Sequence, residues 1–400
     1  MIVYIAPPAN TFRVLYQIFP VFYTALTPKS KPVIDTQRRR WYSGSPILNA
    51  PTLNDLNLPL FIDNFILPVE RCSGGYRTHI MEKAEGRNQT LIMEFILLGF
   101  GDIGEFQPLL FLLFLAIYLV TLSGNLLIVA LVVVDSRLHV PMYFLLGNLS
   151  CVEICYTSTF LPRLLASLLT GDRTISVKGC LVQLYFFGAL SSTECLLLTA
   201  MSYDRYLAIC HPLRYAALMN GPVCGQLVAG SWTSSSLSCS IVIIFLLQST
   251  FCDAKEIDYF FCDFSPVVKV SCGDTRTLQL VTSIISNIGA LVPFLLILTS
   301  YICIIVTILK IPSTTGRRKA FSTCSSHLIV LTVFYGAVIT VYVFPTANTP
   351  KILRKIFSVF YTVLTPMINP VIYSLRNKEV NDAFRKAVLK LAALRHRHKL

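Results

Sequence analysis

The sequence predicts an all-α membrane protein: a seven-transmembrane helix bundle followed by a short amphipathic C-terminal helix. Three observations point there. Of the 400 residues, 14% are charged and 54% hydrophobic, whereas a soluble domain carries about 25% charged residues. Mean hydropathy is +0.63, which argues against a soluble enzyme. Beyond residue 100 the apolar residues gather into seven windows nearly free of charge, each long enough to cross a hydrocarbon core about 30 Å thick at about 1.5 Å per helical residue.

The predicted spans cover residues 106–134, 141–167, 179–206, 223–247, 277–309, 318–343 and 352–373. Pro293 and Pro370 fall inside their windows, which membrane helices tolerate because neighbouring groups satisfy the freed carbonyls. After the seventh span, Val380, Phe384, Val388 and Leu391 recur at helical spacing among Arg385, Lys386 and Lys390. That pattern predicts an amphipathic helix over 377–394 lying on membrane lipids.

Charge sets the orientation. Counted from Met81, the connections on one side hold fifteen Lys and Arg, against ten on the other, with four and eleven acidic residues respectively. The positive-inside rule puts the richer side in the cytoplasm. The expected protein is therefore a multi-pass plasma-membrane protein with its N-terminus extracellular and its C-terminus cytoplasmic. Asn88-Gln89-Thr90 then becomes an extracellular glycosylation acceptor. The net charge of +13 is topological, and with no aromatic-interleaved basic stripe it does not indicate nucleic acid. Cys180, Cys252, Cys262 and Cys272 fall in outer segments, where disulfides are permitted. Four cysteines allow three pairings, and their spacing matches no usual zinc site.

Residues 1–80 stand apart from this pattern. Val3–Arg38 and Val341–Arg376 are identical at 20 of 36 positions without a gap. The front copy carries Lys29, Lys31 and Asp35 where the rear copy has Met367, Asn369 and Tyr373, and each charge costs about 2.5–3.5 kcal/mol near the centre of a span. The expectation is a disordered extension holding a degenerate copy of the seventh-span segment, ahead of a membrane domain at 81–400.

Three spans bring polar residues to one depth. Asn125, Glu153 and Glu194 each lie roughly 15–18 Å from the inner ends of their helices. Two carboxylates in a low-dielectric interior cannot both ionise cheaply, so they share a proton or hold a small cation, sodium being the natural candidate. The alternative is a hydrogen-bonded packing network with no ion. No other cofactor and no metal-ligand set is indicated. Intramembrane carboxylates also mark secondary transporters and ion pathways, yet the spans show no internal repeat. An enzyme is not indicated: there is no HExxH, GxSxG or phosphate loop.

The inner end of the third span reads Met201-Ser-Tyr-Asp-Arg-Tyr-Leu-Ala-Ile-Cys-His-Pro-Leu-Arg-Tyr215, and the seventh ends in Pro366-Met-Ile-Asn-Pro-Val-Ile-Tyr373. These resemble the Asp-Arg-Tyr and Asn-Pro-x-x-Tyr signatures of rhodopsin-like G-protein-coupled receptors. Phe95-Ile-Leu-Leu-Gly-Phe100, Gly124-Asn125, Pro141-Met-Tyr-Phe-Leu-Leu-Gly-Asn-Leu-Ser150, Lys319-Ala-Phe-Ser-Thr-Cys-Ser-Ser-His327 and Ser374-Leu-Arg-Asn377 resemble the odorant-receptor family in particular. The resemblance covers 81–392.

It implies a receptor for a small volatile odorant that activates a stimulatory, olfactory-type heterotrimeric G protein and raises cAMP. Asp204 would latch Arg205 in the resting state, with Tyr206, Tyr301, Asn369, Pro370 and Tyr373 in the activation machinery. It implies a disulfide between Cys180 and Cys262, leaving Cys252 to pair with Cys272. The ligand would meet Phe187, Gly188, Ser191 and Ser192 on the third span, Ile285 and Ser286 on the fifth, Tyr335, Val338, Ile339 and Tyr342 on the sixth, and Thr362 on the seventh. No acidic residue stands at that level on these spans, so an uncharged ligand is expected.

Overall fold

The computed structural model describes residues 94–101, 104–251, 255–272, 274–342 and 351–397. The 1–80 segment, Asn88 and Cys252 lie outside them, as do the side chains of Cys272, Ile339 and Tyr342.

The first span, Gln107–Val134, has Pro108 in its opening turn, where a missing N–H costs nothing. It ends at Asp135, whose carboxylate accepts from the Arg137 amide and starts the turn Ser136–Leu138. The second, Pro141–Thr170, stops at Gly171, where φ is +77°, a conformation only glycine adopts without strain. Ser176 caps the third, Val177–Cys210, by accepting from the Gly179 amide at 3.1 Å. A short helix, Pro212–Leu218, leads to the fourth span, Gly221–Leu247, capped by Asn220. The fifth is Arg276–Leu309 and the sixth Thr314–Tyr342. The seventh starts with Lys351–Val359, passes through a π turn at Phe360–Leu364 and continues as Thr365–Arg376. Lys378–Arg397 follows as the C-terminal helix.

Among the described residues six helices have the length and hydropathy to cross a membrane, and Thr314–Tyr342, 29 residues long, completes seven. The helices outrun the expected spans at polar ends. The third continues four residues past Tyr206 to Cys210, and the sixth begins before Arg317 rather than at 318. Hydropathy marks where lipid ends; backbone hydrogen bonding does not stop there.

The third span is the hub of the bundle, with 61% of its apolar window buried against 22% for the first. Leu145, Leu149, Tyr156, Leu197, Leu198 and Met201 fill the main core. A second core at the opposite end from Arg205 holds Phe95, Cys180, Leu184, Leu246, Cys262 and Val267. Two small sheets cover this end. In one, β1 (Glu94–Leu97) lies between antiparallel β2 (Thr174–Ser176) and parallel β4 (Glu256–Ile257); in the other, β3 (Thr250–Phe251) pairs antiparallel with β5 (Ser271–Cys272). These strands add to the expected all-helical bundle, because loop backbone without a helix still requires hydrogen-bond partners.

Candidate functional site

Missing backbone donors explain the contact between the first and seventh spans. Pro370 has no N–H, so the Pro366 carbonyl four residues earlier loses its helical partner. The Asn125 amide donates to it at 3.2 Å and to the Thr121 carbonyl at 3.1 Å. Gly124 permits the approach, since a Cβ there would stand 3.1 Å from the Pro370 ring. Next to this junction, Asn369 donates to Glu153 Oε1 at 2.5 Å, joining the second and seventh spans. Glu194 is also buried, with Oε1 unpartnered among the described residues, as are Asn125 Oδ1, Asn369 Oδ1 and the Tyr373 hydroxyl. The expected polar layer thus includes Asn369, which depth counting along single helices does not find.

At one end of the bundle Arg205 Nη2 meets Asp204 Oδ2 at 2.7 Å, with Nε 3.0 Å from the same oxygen. The Tyr215 hydroxyl, from the loop helix, donates to Asp204 Oδ1 at 2.7 Å. Asp204 is fully buried with both oxygens engaged. Tyr206 lies 3.0 Å from His211 Nε2, closing its own helix end. Tyr301 is hydrogen-bonded to His327 Nδ1 at 2.7 Å, which ties the fifth span to the sixth. Beneath them Asp135 holds Arg137 at 2.8 Å and faces Lys386 of the C-terminal helix at 3.8 Å. Hydrogen bonds from Arg137 keep the Asp135 carboxyl well below the usual carboxylate range.

The other end is closed by the loop before the fifth span. Cys180 and Cys262 form a disulfide with Cα atoms 5.4 Å apart. Gln183 reinforces it, donating to the Thr159 carbonyl at 3.0 Å and accepting from the Cys262 amide at 2.8 Å. Phe261 is thereby set 4.5 Å from Phe187 in ring centroids, and Phe187 stacks on Tyr156 at 5.0 Å. Lys355 of the seventh span donates to the Gly99 carbonyl and to Asp258 Oδ1, each at 2.6 Å. Tyr259 and Ser358 bond through their hydroxyls. Sequence reasoning missed Gln183 and Lys355; a lysine inside the last apolar span was the available signal for the second.

The expected ligand residues divide. Gly188 faces the fourth span: a Cβ there would lie 3.1 Å from Cys239 Sγ, so its small size serves helix packing. Phe187 is spent on the aromatic cluster. The Thr362 hydroxyl donates to the Ser358 carbonyl at 2.8 Å, within its own helix. Ser191 is half-buried, and Ser192 points toward the fifth span, 3.8 Å from where a Cβ on Gly289 would lie. Ile285 is half-buried. Ser286 is exposed although it shares a helix face with buried Thr282, Pro293 and Ile297. Tyr335 packs against Phe294 at 5.1 Å with its buried hydroxyl unpartnered, and Val338 is half-buried one turn above.

A sequence model of the olfactory receptor family matches residues 114–391. Olfactory receptor 11A1 of Homo sapiens is 48% identical over 306 residues, 76% of this chain and 96% of that protein. Olfactory receptor 10R2 of Homo sapiens is 47% identical over 308 residues, covering 77% and 92%. Olfactory receptor 5M5 of Mus musculus is 45% identical over 301 residues, covering 75% and 95%. A helix bundle with Arg205 paired to Asp204 at one end and a disulfide-bridged, aromatic-packed loop at the other is thus matched along most of its length, and the chain belongs to the olfactory receptor family.

Proposed function

We propose that this receptor binds an uncharged odorant between the third, fifth and sixth spans and signals through a stimulatory, olfactory-type heterotrimeric G protein to raise cAMP. The observation that carries the reading is the engagement of Arg205 by Asp204 at 2.7 Å at the end remote from the plugged pocket. Ligand against Ser191, Ser192, Ile285, Ser286, Tyr335, Val338, Ile339 and Tyr342 shifts the contact of Tyr335 with Phe294. The same two helices meet again at Tyr301 and His327, so a tilt of the sixth span at Tyr335 reaches the Arg205 end. Arg205 then leaves Asp204 for the G protein, while the weakened helix around Pro370 lets Asn369 and Tyr373 reorient.

The Lys and Arg bias supports placing the Arg205 end in the cytoplasm and the disulfide end, with a glycan on Asn88, outside. In the polar centre the unpartnered Asn125, Asn369 and Glu194 oxygens are the donor chemistry a hard cation takes; sodium there would stabilise the resting state. Cys252 and Cys272 form the second disulfide.

Arg205→Ala tests the reading. Odorant-evoked cAMP in cells carrying the variant should fall to the level of untransfected cells while surface expression persists. An undiminished response would refute the latch role.

A further inference from the structure

Between Lys351 and Arg397 the chain leaves helical geometry at one residue, Asn377, with φ −89° and ψ 110°. Its Oδ1 accepts from the Glu379 amide at 3.1 Å and the Val380 amide at 3.4 Å, which caps the start of the C-terminal helix. Buried Tyr143, in the first turn of the second span, reaches this joint. Its hydroxyl meets two acceptors, Asn377 Oδ1 at 2.9 Å and Glu379 Oε2 at 2.5 Å, so a single proton ties the second span to both sides of the joint. Further along the helix Lys386 faces Asp135 at 3.8 Å, and Arg137 lies in the field of Glu379 and Asp382. The inner turn between the first two spans therefore engages about 10 Å of the C-terminal helix, from Glu379 to Lys386. Arg205 also acts electrostatically on the Tyr143 hydroxyl, which puts the joint beside the Asp204–Arg205 pair.

We infer that Tyr143 and Glu379 are positioning residues for G-protein coupling: they pin the C-terminal helix to the first and second spans while the seventh span turns about Asn377. This rests on the coupling proposed above. Folding does not depend on the pair, because Val380 and Ala383 already pack into the main core and Glu379 is exposed, where one polar contact adds little stability. Its effect is on direction. When Asn369 and Tyr373 reorient, the change in φ and ψ must be absorbed before the next rigid helix, and Asn377 is the residue free to absorb it. Unpinned, the C-terminal helix would follow the seventh span and carry exposed Arg385 away from the Arg205 end.

The test uses the full chain in lipid nanodiscs with a purified stimulatory, olfactory-type G protein, reading ligand-free nucleotide exchange per folded receptor against G-protein concentration. Tyr143→Phe and Glu379→Ala should each raise the half-saturating concentration about fivefold, the worth of one hydrogen bond, with the maximal rate unchanged. Glu379→Gln, which keeps an acceptor for the hydroxyl, should behave as the parent, and the Tyr143→Phe, Glu379→Ala double variant should be no weaker than either single one. A purely structural role would lower the yield of folded receptor and leave half-saturation alone. Exchange no faster with the parent than with Arg205→Ala would sink the coupling reading and the positioning role together. Receptor-driven exchange with parental half-saturation in both single variants, or a Glu379→Gln as weak as Glu379→Ala, would sink the positioning role alone. The two Glu379 variants change an exposed side chain, so they decide the matter even if Tyr143→Phe fails to fold.

Discussion

Asn125 shows how one side chain compensates another residue's backbone defect. Replacing it with Ala leaves the Pro366 carbonyl buried and unpaired, a loss of about 1–3 kcal/mol. The expected result is a lower melting temperature in detergent; unchanged melting would mean another group takes over that carbonyl. Lys355 is a similar case at the plugged end. Lys355→Met removes an ion-pair partner from Asp258, which is 35% exposed, so water relieves part of the cost and about 1–2 kcal/mol is expected. Adding Asp258→Leu should restore part of that stability, and a double-mutant cycle on thermal unfolding measures the coupling. Additive losses would show that the two side chains act independently.

The loop before the fifth span is held as an element, by the Cys180–Cys262 bridge, by Gln183 and by the Lys355 clasp. Within it, half-buried Asp263 caps the helix Phe264–Lys269 by accepting from the Phe264 amide at 2.8 Å. Burial pushes its carboxyl up from 3.8 to about 6. A carboxyl raised on folding favours the folded loop below about pH 4, and this contribution is lost as pH rises toward 6 and beyond. At neutral pH the ionised form therefore costs the loop stability. Asp263→Asn keeps a capping oxygen without the charge, so the variant should melt higher than the parent at pH 7.4 and show no advantage at pH 4. A gain of equal size at both values would trace the effect to packing.

For the molecule as a whole, residues 81–400 contain every element described above. Removal of 1–80, with its copy of the seventh-span segment, should leave surface expression and odorant-evoked cAMP unchanged. A marked loss of surface receptor would make the extension a functional part of the chain. The spans were legible because lipid imposes a length and a composition on any helix that crosses it. Hydrophobic windows in turn say nothing of which way a side chain points, and so Gly188 was read toward the ligand although it packs on Cys239. Gln183 was missed for a related reason: its partners Thr159 and Cys262 come from two other segments, and nothing local to residue 183 marks the contact.

Composition and the ordered motifs were enough to establish the seven-span bundle and the family. Each of those properties is local to a stretch of chain and survives without its neighbours. The pairing of Asn125 with Pro366, the clasp from Lys355 to Asp258 and Gly99, and the plugging of Phe187 by Phe261 appear only when the helices pack. A hydrogen bond about 3 Å long or a ring contact of about 5 Å depends on relative helix position to within an ångström or so, and no run of residues read in isolation carries that distance.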